Sequence, residues 1–321
     1  MSSYNFSQNI AISRTDSIGD VVLTLPLCEY LKRQFPSARI FFIGKEYTRA
    51  VIQACKSVDV FLDSQKLDVQ TLKSLQISTI FHVFPEKKIA QMAKQAQIPV
   101  RIGTGHRWFH WFLCNRLVFF SRKNSELHET QLNFQLLRAI GIKFIPSLSE
   151  IASLNLLNVS FSSHVEQFFI KNTKFHWVIH PKSRGSAQEW DLKKYFELIV
   201  SLRDKINFYV TGTQQEGERI RKALPHFFES GAIDMTGKFS LAELMAFINQ
   251  ADGLVACSTG PLHLAAALGK KTVGLYAAVR PIHAGRWGAI GRNVILIEED
   301  SVDNITVEEV RKAISKVLFC E

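Results

Sequence analysis

The chain has 321 residues, 46% of them hydrophobic, which is enough for two domains with buried cores. No apolar run reaches the roughly 18 residues that a membrane span needs, and five scattered cysteines without CxxC spacing support neither zinc nor a disulfide framework. Lys and Arg total 39 against 29 Asp and Glu, and this +10 favours an anionic partner: a phosphorylated substrate, an acidic membrane face or nucleic acid. The polar start, Met1 to Asn9, lacks a signal-peptide pattern, so a cytosolic protein is expected. Cys28, Cys55, Cys114, Cys257 and Cys320 are expected to be reduced, mostly buried thiols.

In chain order, residues 9–13 read as the first strand, the turn Arg14–Gly19 follows, and a helix from about Asp20 to Gln34 stops near Pro36. Residues 39–44 form the next strand. A β–turn–α–β order implies a parallel pair with a right-handed crossover, hence an α/β domain. Further strands are expected at 58–62, 79–83 and 99–103, and a helix over 128–140 ending at Gly141. Periodicity fades between Pro146 and Ser163, which places the domain boundary there. The alternation then restarts: strands at 177–180, 206–210, 232–235, 253–257 and 272–276, helices after Glu189, after Thr213 and around 241–249, and a last helix from about Val307 to Leu318. Two α/β units, each with its own polar first turn, make a cleft between domains the expected site.

The most informative stretch is 258–269, Ser-Thr-Gly-Pro-Leu-His-Leu-Ala-Ala-Ala-Leu-Gly, directly after the apolar strand 253–257. Hydroxyl residues suited to capping, a proline at the first helical position and good helix formers predict a strand, a tight turn and a helix. The helix N-terminus directs unpaired N–H groups and the positive dipole end at the turn, which is an anion site. Ser258, Thr259 and Gly260 supply donors and His263 lies in the first turn. An ordinary capped βα turn is the structural alternative. Near the start, Arg14–Asp20 holds one glycine and no Walker lysine, which argues against a dinucleotide fingerprint or an NTPase. What remains there is Asp20, a carboxylate at a helix start, able to serve as a general base or simply to complement the helix dipole. Asp16 on the same turn reads as a solvated turn residue.

Gly19-Asp20-Val21-Val22-Leu23-Thr24-Leu25-Pro26 together with 258–269 closely resembles glycosyltransferase family 9, the lipopolysaccharide heptosyltransferases and their relatives. The resemblance continues through Arg101–Gly103, His128–Asn133, His180–Trp190 and Pro281–Gly288. It implies a GT-B fold, an α/β architecture of two Rossmann-like domains with parallel sheets facing across a cleft. Residues 1–155 would bind the acceptor and 156–321 the nucleotide-sugar donor, and the final helix of this fold can pack back on the N-terminal domain. It further implies inverting transfer without a metal or other cofactor, with ADP-heptose as the donor co-substrate. The acceptor would be a lipid-linked phosphorylated glycan of the lipopolysaccharide core, met at the cytoplasmic face of the inner membrane. Carried over by position, Asp20 matches the general base. Thr259, Gly260, His263 and Ser183 match donor-phosphate positions, Gln214 and Glu216 the ribose, and Phe239 the base.

Two positions depart from the family pattern. Gln188 stands where a lysine often meets the phosphates, and Ser258 where an aspartate is usual; Lys182 or Arg184 could restore the missing positive charge. The acceptor side is expected to use Arg14, Arg101, Arg107 and His128. The stretch from Arg101 to Lys123 interleaves basic and aromatic residues. It reads either as an acceptor or membrane-surface patch or as a helix with its aromatics packed inward. Nucleic acid fits less well, since no recognised binding motif accompanies the charge. A nucleotide-sugar epimerase of similar fold and a non-catalytic nucleotide-sugar or glycan binder remain as alternatives.

Overall fold

A computed structural model of the chain describes residues 9–122, 125–183, 185 and 187–319. The expectations for Met1–Gln8, Lys123, Arg184 and Cys320 therefore lie outside the described residues. The chain divides into two compact units. The first runs to Glu150 and takes in Leu156–Asn158; the second holds Ile151–Asn155 and continues from Val159. The return of 156–158 to the first unit is made by hydrogen bonds: Lys56 N donates to Leu156 O (3.1 Å) and Asn158 N to Ala54 O (2.8 Å).

The first unit is a six-stranded parallel sheet in the order β3-β2-β1-β4-β5-β6. Its strands are β1 (Asn9–Ser13), β2 (Ile40–Gly44), β3 (Val60–Asp63), β4 (Ile77–His82), β5 (Val100–Thr104) and β6 (Arg116–Val118). β1 and β2 are near-continuous apolar runs because helices cover both faces of a parallel sheet. The expected helix from Asp20 to Gln34 is two pieces, Ile18–Val22 and Leu25–Gln34. Pro26 explains the break: lacking an N–H, it sits at the start of the second piece, where none is needed. The expected helix over 128–140 tightens after Glu129–Phe134 into a 3₁₀ stretch, Gln135–Ile140, closed by Gly141 at φ 85°.

The second unit repeats the plan. β7 (Phe175–His180), β8 (Ile206–Val210), β9 (Ile233–Asp234), β10 (Gly253–Cys257), β11 (Lys271–Ala277) and β12 (Val294–Glu299) form a parallel sheet in the order β12-β11-β10-β7-β8-β9. Numbered from its own first strand, this is the same order as the first sheet, so each is a doubly wound Rossmann sheet. The order reverses between β1 and β4 in one unit and between β7 and β10 in the other. At such switch points crossovers leave in opposite directions and open a crevice outside the carboxyl ends of the strands. The core around Trp177, Trp190, Tyr195 and Phe208 includes Val310 and Ile314 of the final helix, Val307–Phe319. That helix packs against Leu192–Leu202, β11 and β12, all within the second unit.

β6 and β12 were not expected from the sequence. β6 has three residues amid basic and aromatic neighbours, too few for a period to register. β12 begins as Val-Ile-Leu-Ile and ends in two glutamates, with exposed and half-buried positions alternating as on a sheet edge. Cys28, Cys55, Cys114 and Cys257 are buried free thiols, as expected. Among the described residues no helix is long and apolar enough to cross a membrane.

Candidate active site

In the first unit the chain leaves β1 at the switch point and turns through Arg14–Ser17. Ser17 caps the short helix Ile18–Val22: its hydroxyl accepts from Asp20 N (3.4 Å) and donates to the Asp20 carboxylate. Arg14 is buried, 3% exposed, and its guanidinium is engaged on every side. Nε donates to Asp16 (2.7 Å), Nη2 to Asp20, and Nη1 to Glu129 (3.1 Å). Glu129, 2% exposed, also accepts from Arg122. Asn133 ties this helix to the early turn by donating to Leu23 O (3.2 Å) and Thr24 Oγ1 (3.3 Å). Burial pulls the Arg14 pKa down, yet the fields of Asp16, Asp20 and Glu129 hold it above the ordinary arginine value. Asp16 moves the other way. Burial pushes its carboxyl up to about 6 and the Asp20 charge adds to this, against the pull of Arg14. Asp16 is thus a partly buried ion-paired carboxylate, which corrects its expectation as a solvated turn residue.

The acceptor-side expectations divide. Arg14 has no face left for a ligand in this form; its work is to hold three carboxylates. Arg101 binds the backbone of its own unit, donating to Leu113 O (2.9 Å) and to Ile98 O. His128 is 2% exposed and caps the helix Glu129–Phe134, accepting from Thr130 N (3.2 Å) in a capping box with Gln131. Such boxes satisfy backbone donors that a helix start leaves unpaired, which is why a motif residue can be structural. Arg107 is the exposed member of the four. His82 at the end of β4 and His110 at the start of the helix His110–Leu113 have ring centroids 5.6 Å apart, and burial pushes the His82 ring down to about 3, so it stays neutral.

In the second unit three turns line the carboxyl edge of the sheet, after β8, β7 and β10. Thr259 is the N-cap of the helix Gly260–Ala267, with extended backbone (φ −124°, ψ 164°). Its hydroxyl makes no capping bond, and although buried it has no hydrogen-bond partner among the described residues. Pro261, Leu262, His263, Leu264 and Ala265 are buried, so the helix start is desolvated and its dipole poorly screened. Ser258 is half-buried, and Tyr276 on the neighbouring strand β11 donates its hydroxyl to Trp287 O (3.1 Å) and accepts from Ala289 N (3.1 Å). Tyr276 therefore fastens the end of β11 to the segment that follows it.

The turn after β7 is fastened by Glu189, which accepts from Ser183 N (2.7 Å) and Lys182 Nζ (2.8 Å). Ser183 Oγ donates to Ala187 O (2.9 Å). Lys182 thus faces Glu189 in this form, so its positive charge is already matched. Gln188 points to another partner, donating to Ser301 Oγ (2.7 Å) and accepting from Val302 N (3.3 Å). After β8, Thr213 and Glu216 form a capping box, with Thr213 N donating to Glu216 (2.6 Å). Gly237 N donates to Gly212 O (2.8 Å), and a Cβ built on Gly237 would stand 3.1 Å from that of Gln214. This brings Gln214, Glu216 and the half-buried Phe239 into one neighbourhood. Phe239 packs on Phe247 (4.8 Å) and edge-on to Phe168 (5.3 Å). His180 Nδ1 and Thr211 Oγ1, 3.1 Å apart, join that neighbourhood to the turn after β7.

Sequence reasoning missed Glu129, Glu189 and Tyr276 as site residues. Glu129 carried a signal, a carboxylate inside the His128–Asn133 motif. Glu189 and Tyr276 look like an ordinary helix-start acid and a strand aromatic until their partners are seen. Among the described residues no group of three or more His, Cys, Asp or Glu side chains is placed to hold a metal ion.

Two Rossmann sheets of identical strand order, each with a polar turn at its switch point, are the architecture of the GT-B fold. A family model, glycosyltransferase family 9 (heptosyltransferase), matches residues 88–313, and the chain belongs to this family. A provisionally named glycosyltransferase of Haemophilus influenzae is 25% identical over 299 residues, 88% of this chain and 86% of the relative. A family 9 glycosyltransferase from Veillonella parvula superposes with a TM-score of 0.79 at 17% identity, covering 98% of this chain and 97% of that one. E. coli ADP-heptose LPS heptosyltransferase II gives 0.74 at 18% identity, covering 97% and 98%.

Proposed function

We propose that this enzyme moves a heptose from ADP-heptose to the lipopolysaccharide core, or to a related lipid-linked phosphorylated glycan, with inversion and without a metal. The supporting observation is the buried, unpartnered hydroxyl of Thr259 at a buried helix start on the switch point of the second unit. A nucleotide diphosphate supplies what that place lacks, an acceptor for the hydroxyl and a counter-charge for the dipole. In this reading the second unit binds the donor. Thr259, Gly260, His263, Ser258 and Ser183 meet the diphosphate; Gln214 and Glu216 meet the ribose; Phe239 packs the base. Lys182 serves by release from Glu189, and Gln188 positions the loop. The first unit binds the acceptor, with Arg107 on its exposed side, and works at the cytoplasmic face of a membrane.

Asp20 takes the proton from the acceptor hydroxyl as that oxygen forms its bond to the anomeric carbon. The carbon–oxygen bond to the diphosphate breaks on the opposite face, and ADP leaves with the electron pair, stabilised by the helix end. The test is nucleotide release with and without acceptor, after a thermal-shift screen of ADP-, UDP- and GDP-sugars. ADP-heptose should give the largest shift, and ADP release should require acceptor. Release with an altered sugar and no acceptor would make the protein an epimerase, and binding without release would make it a binding protein.

A further inference from the structure

The first unit carries an exposed feature that the transfer chemistry does not use. Trp108 (67% exposed), Trp111 (57%), Phe112 (69%) and Phe119 (55%) lie within twelve residues of one another and all face outward. This overturns the inward-packed alternative for the aromatics of this stretch, since burying these rings is what that alternative required. They form one patch. Trp111 and Phe119 stand 5.6 Å apart, and Trp111 Nε1 donates to Gly105 O (2.9 Å), which fixes the ring at the surface. Lys87 lies 5.0 Å over the Trp108 ring, and Lys94 donates to Phe112 O (3.0 Å), so the helices Lys87–Gln95 and His110–Leu113 share the face.

The charge around these rings is one-sided. From Lys87 to Arg122 the chain has seven Lys or Arg residues and no Asp or Glu; Arg101 and Arg122 are engaged by their own unit, and the other five, Lys87, Lys88, Lys94, Arg107 and Arg116, are exposed. A protein-binding surface normally surrounds its aromatic anchors with a rim of mixed polar groups. A run with no carboxylate suits a continuous negative field instead. Rings that rest between apolar and wet layers, flanked by lysine and arginine, match the interface of a bilayer. Each basic side chain near such a surface adds to attraction that falls off within a Debye length.

We propose that this face, formed by Lys87–Gln95, Arg107–Leu113 and Arg116–Phe119, docks the enzyme on a bilayer containing anionic lipid. The proposal deepens the reading of a lipid-linked acceptor and rests on it for its purpose, but docking is measurable with no donor or acceptor present. Basic side chains hold the surface at long range, and the four rings enter the headgroup layer.

The experiment is co-sedimentation of the full chain with vesicles of phosphatidylethanolamine and phosphatidylglycerol, against vesicles of phosphatidylcholine alone. Binding to the anionic vesicles should be at least about tenfold tighter, and should weaken as salt rises from about 0.1 M to about 0.5 M. Two variants separate the two contributions: Trp108→Ser with Trp111→Ser and Phe112→Ser, and Lys87→Gln with Lys88→Gln and Arg116→Gln. Each should lower binding at least about tenfold with an unchanged melting temperature, because the substituted side chains are exposed. Equal binding to both vesicle types overturns the proposal, as does undiminished binding of both variants. A dimer that the aromatic variant dissolves, or single-stranded DNA bound as tightly as vesicles, would likewise assign the face to another partner. An enzyme that turns over a delipidated acceptor but ignores vesicles loses the docking face and keeps the transfer reading; the reverse result removes the transfer reading alone.

Discussion

The two polar turns occupy equivalent places in two sheets of the same strand order, yet their charge is handled in opposite ways. In the turn after β1, Arg14 meets Asp16, Asp20 and Glu129, and Arg122 reinforces Glu129. The turn after β10 has no ionised side chain in Ser258–Gly260, only a buried helix start and a hydroxyl without a partner. Burying charges is tolerable when they satisfy one another, so the first turn is a rigid mount built before any ligand arrives. The second keeps its electrostatic demand unmet, as suits the grip on an anion that comes and goes. In the proposed transfer the first turn would supply the fixed proton acceptor and the second the yielding anion site.

The sharpest way to break this comparison is Asp20→Asn. The amide keeps the shape and can still bond to Arg14 and Ser17, so donor binding should stay within about twofold while turnover falls roughly 100- to 10,000-fold. A variant with substantial turnover would leave the first turn as a purely structural charge cluster. The second turn is tested by Thr259→Val. In the free protein this removes a buried hydroxyl without a partner among the described residues, so stability should hold or rise. In the complex it removes a donor to phosphate, so the donor dissociation constant should rise about three- to tenfold. Loss of stability in the free protein would mean that the hydroxyl already has a use, and the contrast between the turns would fail.

The physics of each element decides how much of this was legible. Strands β1, β2, β8, β10 and β11 are apolar runs bounded by turn signals, so a parallel α/β plan follows from pattern alone. The motif after β10 was readable because Thr259, Gly260 and Pro261 act through backbone chemistry that a sequence states directly. Side-chain partnerships were not readable. Glu129 lies 115 positions from the Arg14 it binds, and its place in the His128–Asn133 motif does not name that partner. For the same reason the sequence alone does not show that Arg14, Arg101 and His128, expected to meet a ligand, also have partners within the protein. A polar residue in a motif can serve a ligand or the backbone, and only its surroundings choose. Gln188, which departs from the family's lysine, is likewise explained by a partner far along the chain, Ser301.

The smallest effect expected comes from Asp16, and its sign measures how the first turn is balanced. Its folded carboxyl lies near 6 against an ordinary value of 3.8, with burial as the largest cause. Between about pH 4 and 6 the folded chain therefore holds a proton that the unfolded chain has released, and stability attached to this group is lost as pH rises through that window. Asp16→Asn cannot titrate, so its stability relative to the parent should improve from pH 4 to pH 7. With 23% of the side chain still exposed, solvent screening reduces the effect to on the order of 1 kcal/mol. Urea denaturation of both proteins at the two pH values reads it out. Should the variant lose ground as pH rises, the ion pair with Arg14 outweighs burial and Asp16 is held as an anion throughout. Asp20 would then share the Arg14 charge with an ionised Asp16 at every pH in that window.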